Sequence, residues 1–105
     1  MTPEEARLRL DECRVMVDDI DRRLVALLNE RTQVVEEIGR VKRESQLPIY
    51  EPKREEQVFA NITGANQGPI SSDGLRRIFE RIIDEMRKIQ RVRMVSAPME
   101  NPGDK

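Results

Sequence analysis

The first 45 residues carry a helical pattern that nothing interrupts. Thr2 and Glu5 form a capping box around Pro3, which suits the first position of a helix. No further proline follows until Pro48. The pattern therefore predicts one helix from Pro3 to about Ser45, far longer than the mean helix of about 12 residues.

A helix of that length is too long for a compact monomer of 105 residues to cover. About 42 residues span about 63 Å at 1.5 Å per residue, whereas a compact chain of this size is roughly 33 Å across. Apolar residues nevertheless follow one face of nearly the whole helix: Val17, Ile20, Leu24, Leu28, Val35, Ile38 and Val41. Extended apolar patches mark interfaces, so the sequence predicts a dimer built around paired long helices. The alternative is a monomer whose first helix breaks in two, but no residue between 4 and 38 would break it.

Two shorter helices are predicted after the segment "SQLPIYEP", whose prolines disfavour helix. The second helix begins near Pro52, and the turn-rich segment "TGANQGP" separates it from the third. The third helix begins at "SSD" and is expected to fade near Met94. The predicted fold is therefore all-α, with three helices and one very long N-terminal helix. The expected domain spans residues 1–95, followed by a disordered tail over residues 96–105.

The composition argues against several classes of function. The net charge of −1 gives no basic field for nucleic acid or for a membrane surface. The lone Cys13 allows no internal disulfide and no metal cluster, and the chain has no His for proton transfer near neutral pH. No apolar run reaches transmembrane length, and the N-terminus lacks a signal-peptide core. These features predict a soluble cytoplasmic protein.

Charged side chains interrupt the apolar face of the long helix. Arg14, Arg31 and Lys42 fall in the same series of three- and four-residue steps as the apolar residues. Taken singly, such cations usually reach water or pair with a carboxylate. Helices two and three add further polar residues at inward positions, namely Arg54, Glu55 and Gln90.

Taken together, the inward cations outnumber the inward acids, which predicts a negatively charged ligand. Arg matches carboxylates in a bidentate manner, so the set favours a ligand with two carboxylates. Phosphate is the competing ligand, but it usually also engages a glycine-rich loop or a helix N-terminus, and the sequence has neither signature.

Helix geometry decides which cations can share one ligand. Arg31 and Lys42 differ by about 20° around an ideal helix and by about 17 Å along it, so their long side chains can reach one small molecule. Arg14 lies about 26 Å from Arg31 along the axis and about 100° around it. If the paired helices run antiparallel, Arg14 of the partner subunit can complete the site.

The ordered set of residues resembles the all-helical chorismate mutases. The resemblance covers about residues 7 to 94 and is carried by Arg14, Asp21, "LLNER" ending at 31, "GRVK" ending at 42, Pro48, Glu51, "KRE" at 53–55 and Gln90. It implies an intertwined three-helix homodimer that converts chorismate to prephenate in the Phe/Tyr branch of aromatic amino acid biosynthesis.

The resemblance also implies roles for the cations. Arg31 and Arg14 of the partner subunit would hold the two carboxylates of chorismate, and Lys42 and Gln90 would donate hydrogen bonds to its ether oxygen. A Claisen-type rearrangement needs no nucleophile, metal, cofactor or proton transfer. Holding the substrate and stabilising the growing negative charge are then sufficient.

The remaining positions of the implied site surround the substrate ring. Glu55 and the backbone near Glu51 would accept the ring hydroxyl, and Arg54 would help to position the substrate. Met86 stands where some members have a hydroxyl residue, and Glu51 stands where some have Asp. Two apolar residues would form the walls, namely Ile38 and Ile83.

Two alternatives to a chorismate mutase remain open at this stage. Isochorismate-pyruvate lyase shares the fold and uses a similar cationic pocket. A non-catalytic helical dimerisation or regulatory module is the rival from another class, and it predicts that dianions do not bind. Association with another enzyme of the shikimate pathway is also left open by the sequence.

Overall fold

A computed structural model describes the backbone of residues 1–100 and the side chains of residues 1–92. The chain forms three helices, α1 (Pro3–Ser45), α2 (Pro52–Ala65) and α3 (Ser72–Glu100), and residues 1–100 contain no strand. The prediction of an all-α fold with a very long first helix is thereby confirmed. The chain divides into two compact units, Met1–Gln33 and Val34–Lys105, and each is described by itself.

The N-terminus of α1 is closed by the predicted capping box. The backbone N–H of Thr2 donates to Glu5 Oε1 at 2.8 Å, and the N–H of Glu5 donates to Thr2 Oγ1 at 3.1 Å. Two of the N–H groups that a helix start leaves without intrahelical partners are thus satisfied reciprocally. Pro3 occupies the first helical position, where its missing N–H is harmless.

The C-terminus of α1 is closed by a Schellman motif. Gln46 adopts a left-handed conformation with φ of 57°. The N–H of Leu47 donates to the carbonyl of Lys42 at 2.8 Å, and the N–H of Gln46 donates to the carbonyl of Arg43 at 3.3 Å. The helix therefore ends by a specific backbone turn, before the first proline of the connecting segment.

Within the unit Met1–Gln33, α1 leaves its apolar face uncovered. Val17, Ile20 and Leu24 are 52%, 46% and 51% exposed. This unit contains no second helix that could cover them. The face belongs to the same apolar stripe from which the sequence predicts an interface.

The unit Val34–Lys105 combines the C-terminal part of α1 with α2 and α3. Helices α2 and α3 pack together, and the Arg76 guanidinium lies 4.1 Å from the centre of the Phe59 ring. Helix α1 approaches α3 closely at Gly39, where an added Cβ would lie 3.5 Å from the Cα of Gln90. Among the described residues, the buried side chains of this unit's core are Val35, Met86 and Lys42.

Helix α3 continues further than the sequence pattern suggests. The pattern predicts that the helix fades near Met94, but it ends at Glu100. Residues 101–105 lie outside the described residues, so the domain boundary at residue 95 and the tail over residues 96–105 stay predictions. No helix within residues 1–100 combines the length and the apolar character needed to cross a bilayer.

Candidate active site around Lys42

Lys42 is a buried cation in the last turn of α1, and its side chain meets three acceptors. Its Nζ donates to the carbonyl oxygen of Ile49 at 2.9 Å and to Gln90 Oε1 at 3.2 Å, and it lies 2.8 Å from Glu51 Oε1. Lys42 is only 7% exposed. An ammonium carries three N–H donors, so each donor has an acceptor.

The segment between α1 and α2 supplies two of these acceptors. The turn at Gln46 ends α1 and lets the following residues bring the Ile49 carbonyl and the Glu51 carboxylate to Lys42. Glu51 is the N-cap residue of α2, and its own carbonyl accepts the N–H of Glu55 at 3.1 Å. The Glu51 side chain is 52% exposed, so its carboxylate is the acceptor that can most easily leave Lys42.

Gln90 is held on α3 with a defined amide orientation. An ammonium has no acceptor atom, so the amide oxygen of Gln90 must face Lys42. The amide Nε2 is then the donating side of Gln90. Gly39 of α1 faces this side chain. A Cβ added to Gly39 would lie 3.6 Å from Gln90 Cγ.

Glu55 is tied to α3 by an ion pair that the sequence analysis missed. Arg87 Nη2 donates to Glu55 Oε2 at 2.5 Å, and the two side chains are 23% and 26% exposed. The hydrogen bond to Glu55 raises the pKa of Arg87 above its ordinary value. A signal was present, because Arg87 lies three residues before Gln90 and four after Ile83, which places all three on one face of α3.

The other site residues predicted within this unit have different surroundings. Met86 is buried with 7% exposure, Ile83 is half-buried and Ile38 is 40% exposed. Arg54 is exposed, and its Nη1 lies 3.5 Å from Gln57 Oε1 within α2. Of the predicted site residues, Glu51 of the connecting segment and Gln90 of α3 contact Lys42 directly.

Two predicted site residues belong to the unit Met1–Gln33. Arg14 is exposed on α1, and its Nη1 lies 3.8 Å from Asp11 Oδ1. Arg31 is half-buried on the same helix. Their part in one site with Lys42 stays a prediction.

The helical fold and the buried Lys42, hydrogen-bonded to Gln90 of another helix, define a class of all-α proteins with a cationic site between helices. The sequence profile of the chorismate mutase type II family matches residues 13–91. The chain belongs to this family, which confirms the resemblance seen in the sequence.

Solved structures of the same family are similar over most of the chain. The chorismate mutase of Thermus thermophilus in its form II is 37% identical, with a TM-score of 0.77 over 79% of this chain and 94% of that chain. Form I of the same protein is 40% identical, with a TM-score of 0.72 over 74% of this chain and 98% of that chain.

Curated relatives include both long and short proteins. The bifunctional chorismate mutase/prephenate dehydratase of Aquifex aeolicus is 36% identical over 70% of this chain. This chain spans only 22% of that relative's length. The chorismate mutase of Methanocaldococcus jannaschii is 24% identical over 79% of this chain and 85% of its own length.

Proposed function

We propose that this chain is a chorismate mutase, an isomerase that rearranges chorismate to prephenate in the Phe/Tyr branch of aromatic amino acid biosynthesis. Family membership supports this reaction. The observation that carries the proposal is the buried Lys42 ammonium, held within hydrogen-bonding distance of the Gln90 amide. These two donors suit an oxygen that gains negative charge during a reaction.

The rearrangement is intramolecular and balanced within the substrate. The ether C–O bond breaks while a C–C bond forms between the enolpyruvyl arm and the ring, and no proton is transferred. Negative charge grows on the ether oxygen in the transition state. Lys42 Nζ and Gln90 Nε2 would donate to that oxygen, and fixed donors need no reorganisation when the charge appears.

Binding of the substrate requires one of the three acceptors of Lys42 to leave. The Ile49 carbonyl belongs to the backbone, and the Gln90 side chain packs against Gly39, so neither acceptor can easily leave Lys42. The Glu51 carboxylate is half exposed and can turn into water. An anionic substrate would also repel this carboxylate, so exchange of Glu51 for substrate is the expected binding step.

The two carboxylates of chorismate need further cations, and the proposal assigns Arg31 and Arg14 of the partner subunit to them. The uncovered apolar face of α1 supports a homodimer, since Val17, Ile20 and Leu24 are about half exposed. An antiparallel pairing of two α1 helices would bring Arg14 of one chain toward Arg31 of the other. Each site would then contain residues of both chains.

The ring end of the substrate is assigned to α2 and α3. Glu55 would accept the hydrogen bond of the ring hydroxyl, with the backbone near Glu51 beside it, and Arg54 would help to position the substrate. The apolar walls would be formed by Ile38 and Ile83, and Met86 would also line the substrate. Burial of Met86 supports a packing role. Its thioether sulfur is only a weak hydrogen-bond acceptor, so Met86 offers the substrate little polar contact.

A relative also supports a proposal about partners. The Aquifex aeolicus relative combines chorismate mutase and prephenate dehydratase in one protein. Association of this chain with an enzyme that consumes prephenate is therefore part of the proposal, together with a cytoplasmic location.

Turnover of chorismate is the experiment that tests the function. The purified protein is incubated with chorismate, and formation of prephenate is followed by NMR and by the loss of chorismate absorbance. A parallel incubation with isochorismate, with detection of pyruvate, tests the lyase alternative. Turnover of chorismate alone supports the proposal. Pyruvate release from isochorismate without turnover of chorismate would identify a lyase, and turnover of neither substrate would indicate a non-catalytic module.

A further inference from the structure

Arg87 is held by groups from three parts of the chain. Its Nη2 donates to Glu55 Oε2 of α2 at 2.5 Å, and its Nη1 lies 3.5 Å from Asp84 Oδ1 of α3. Its guanidinium carbon also lies 5.4 Å from the centre of the Tyr50 ring, in the segment before α2. The position of this guanidinium is therefore defined by several contacts.

The pair of Arg87 with Glu55 differs from the surface ion pairs of α3. Arg81 and Glu85 also form a short pair at 2.7 Å, but their side chains are 73% and 45% exposed and lie one turn apart. Such pairs are screened by water and contribute little. Arg87 and Glu55 are only about a quarter exposed and join two different helices, so solvent screens their interaction less.

The charge of Glu55 creates a difficulty for the proposed site. A carboxylate that has no bonded cation would repel a dianionic substrate beside it. Arg87 removes this difficulty, because a bonded guanidinium compensates the charge and occupies one carboxylate oxygen. The other oxygen, Oε1, remains as an acceptor with a defined direction.

We propose that Arg87 is a positioning residue for Glu55, which it orients so that Glu55 Oε1 accepts the hydrogen bond of the substrate's ring hydroxyl; this inference rests on the function proposed above. Arg87 itself does not touch the reacting atoms. It acts on the selection of substrates that carry the hydroxyl, because the hydroxyl is the group that Glu55 recognises.

Substrate selectivity tests this role more specifically than activity alone. The values of kcat/KM are measured for chorismate and for an analogue in which hydrogen replaces the ring hydroxyl. Arg87→Met should lower kcat/KM for chorismate on the order of tenfold, the size expected for one hydrogen bond to a charged group. The analogue should react within about twofold of its rate with the wild type, since it makes no such hydrogen bond. Arg87→Lys should restore part of the selectivity by restoring the charge.

Two further variants complete the design. Arg81→Met removes an exposed ion pair from the same helix and should leave both rates unchanged. In a Glu55→Gln background, Arg87→Met should have little further effect on selectivity, because the group through which it acts has already been altered. Arg87→Gln repeats the test if Arg87→Met does not give native helical circular dichroism.

The outcomes separate this inference from the proposed function. A wild type that does not turn over chorismate would contradict the proposed function itself. An active wild type, together with folded Arg87 variants that keep full selectivity, would overturn the role of Arg87 alone. Equal losses for chorismate and the analogue would also overturn it, because they indicate a purely structural ion pair.

Discussion

At the scale of single residues, the site is governed by the hydrogen bonds of Lys42. A buried ammonium is tolerated only when acceptors surround it, and the carbonyl of Ile49, the carboxylate of Glu51 and the amide of Gln90 meet that requirement. Two of these acceptors are held in place, whereas Glu51 is half exposed. The arrangement keeps Lys42 in position before a ligand arrives and leaves one acceptor exchangeable.

Replacement of Lys42 by Met tests its part in the reaction. Met keeps most of the apolar stem but removes the charge that would stabilise the ether oxygen. We expect kcat/KM for chorismate to fall by about 10² or more, since one such donor is worth about 3 kcal/mol, while the helical circular dichroism is retained. Lys88→Met serves as the control, because Lys88 is an exposed lysine of α3 whose loss should not change the rate. A near-normal rate in Lys42→Met would exclude Lys42 from the site.

Replacement of Gln90 by Glu tests the second donor through the pH dependence of activity. The amide of Gln90 donates a hydrogen bond at any pH, whereas a carboxyl group donates only when it is protonated. Activity of Gln90→Glu should therefore rise as the pH falls toward the ordinary carboxyl pKa of about 4.3. The wild-type profile should be flatter over the same range. Identical pH profiles of kcat/KM for the two proteins would remove Gln90 from the site.

At the scale of helices, the end of α1 determines how the site is assembled. The Schellman motif at Gln46 turns the chain so that the residues after it reach Lys42 and begin α2. Glycine is the usual residue at this position, because an L-residue in the left-handed region brings its Cβ close to the following carbonyl. The glutamine therefore holds a conformation that is unfavourable for its residue type.

Replacement of Gln46 by Gly should stabilise the protein. The relief of the left-handed conformation, at about 1–2 kcal/mol, exceeds the entropy that glycine adds to the unfolded chain. We expect the free energy of unfolding to rise by about 0.5–1 kcal/mol, measured by urea denaturation at a fixed protein concentration. Gln33→Gly, in the interior of α1, should lower it by about 1 kcal/mol. A loss of stability in Gln46→Gly would show that its backbone is not strained.

At the scale of the whole molecule, the apolar face of α1 is the feature that supports the proposed homodimer. The face is left half exposed within the unit Met1–Gln33, and Arg14 and Arg31 lie on the same helix. The proposed homodimer with shared sites would account for the uncovered face and for these two cations together. Sedimentation at micromolar concentration should then give twice the mass of one chain.

Mixing two inactive variants tests the shared site directly. Arg14→Ala and Arg31→Ala homodimers should both be nearly inactive, because every site lacks one of the two arginines that would bind the substrate's carboxylates. In a mixed dimer, one site receives intact Arg31 from one chain and intact Arg14 from the other, while the second site lacks both. Random pairing makes about half of the dimers mixed, so refolding the variants together should restore about a quarter of wild-type activity.

Refolding each variant alone is the control for this experiment. Mass spectrometry under native conditions reports whether mixed dimers have formed. If mixed dimers are present and activity does not exceed the sum of the two homodimers, Arg14 and Arg31 do not act across an interface.

The sequence by itself determined the features that depend on near neighbours. The capping box of Thr2 and Glu5 and the uninterrupted helix to Ser45 were predictable, because helix hydrogen bonds and caps join residues three or four positions apart. Family membership was equally visible, since the spacings of the polar residues are a property of the chain. The extension of α3 to Glu100 was missed, because Pro98 disfavours helix locally and yet the helix continues past it.

Only the tertiary structure decided which groups meet. Lys42 reaches the backbone of Ile49 because of the left-handed turn at Gln46, a conformation that the neighbouring prolines do not specify. The pair of Arg87 and Glu55 joins positions 32 residues apart on separate helices. Periodicity assigns a side chain to a face of its own helix, but its partner depends on how the helices pack, and packing is a property of the folded chain as a whole.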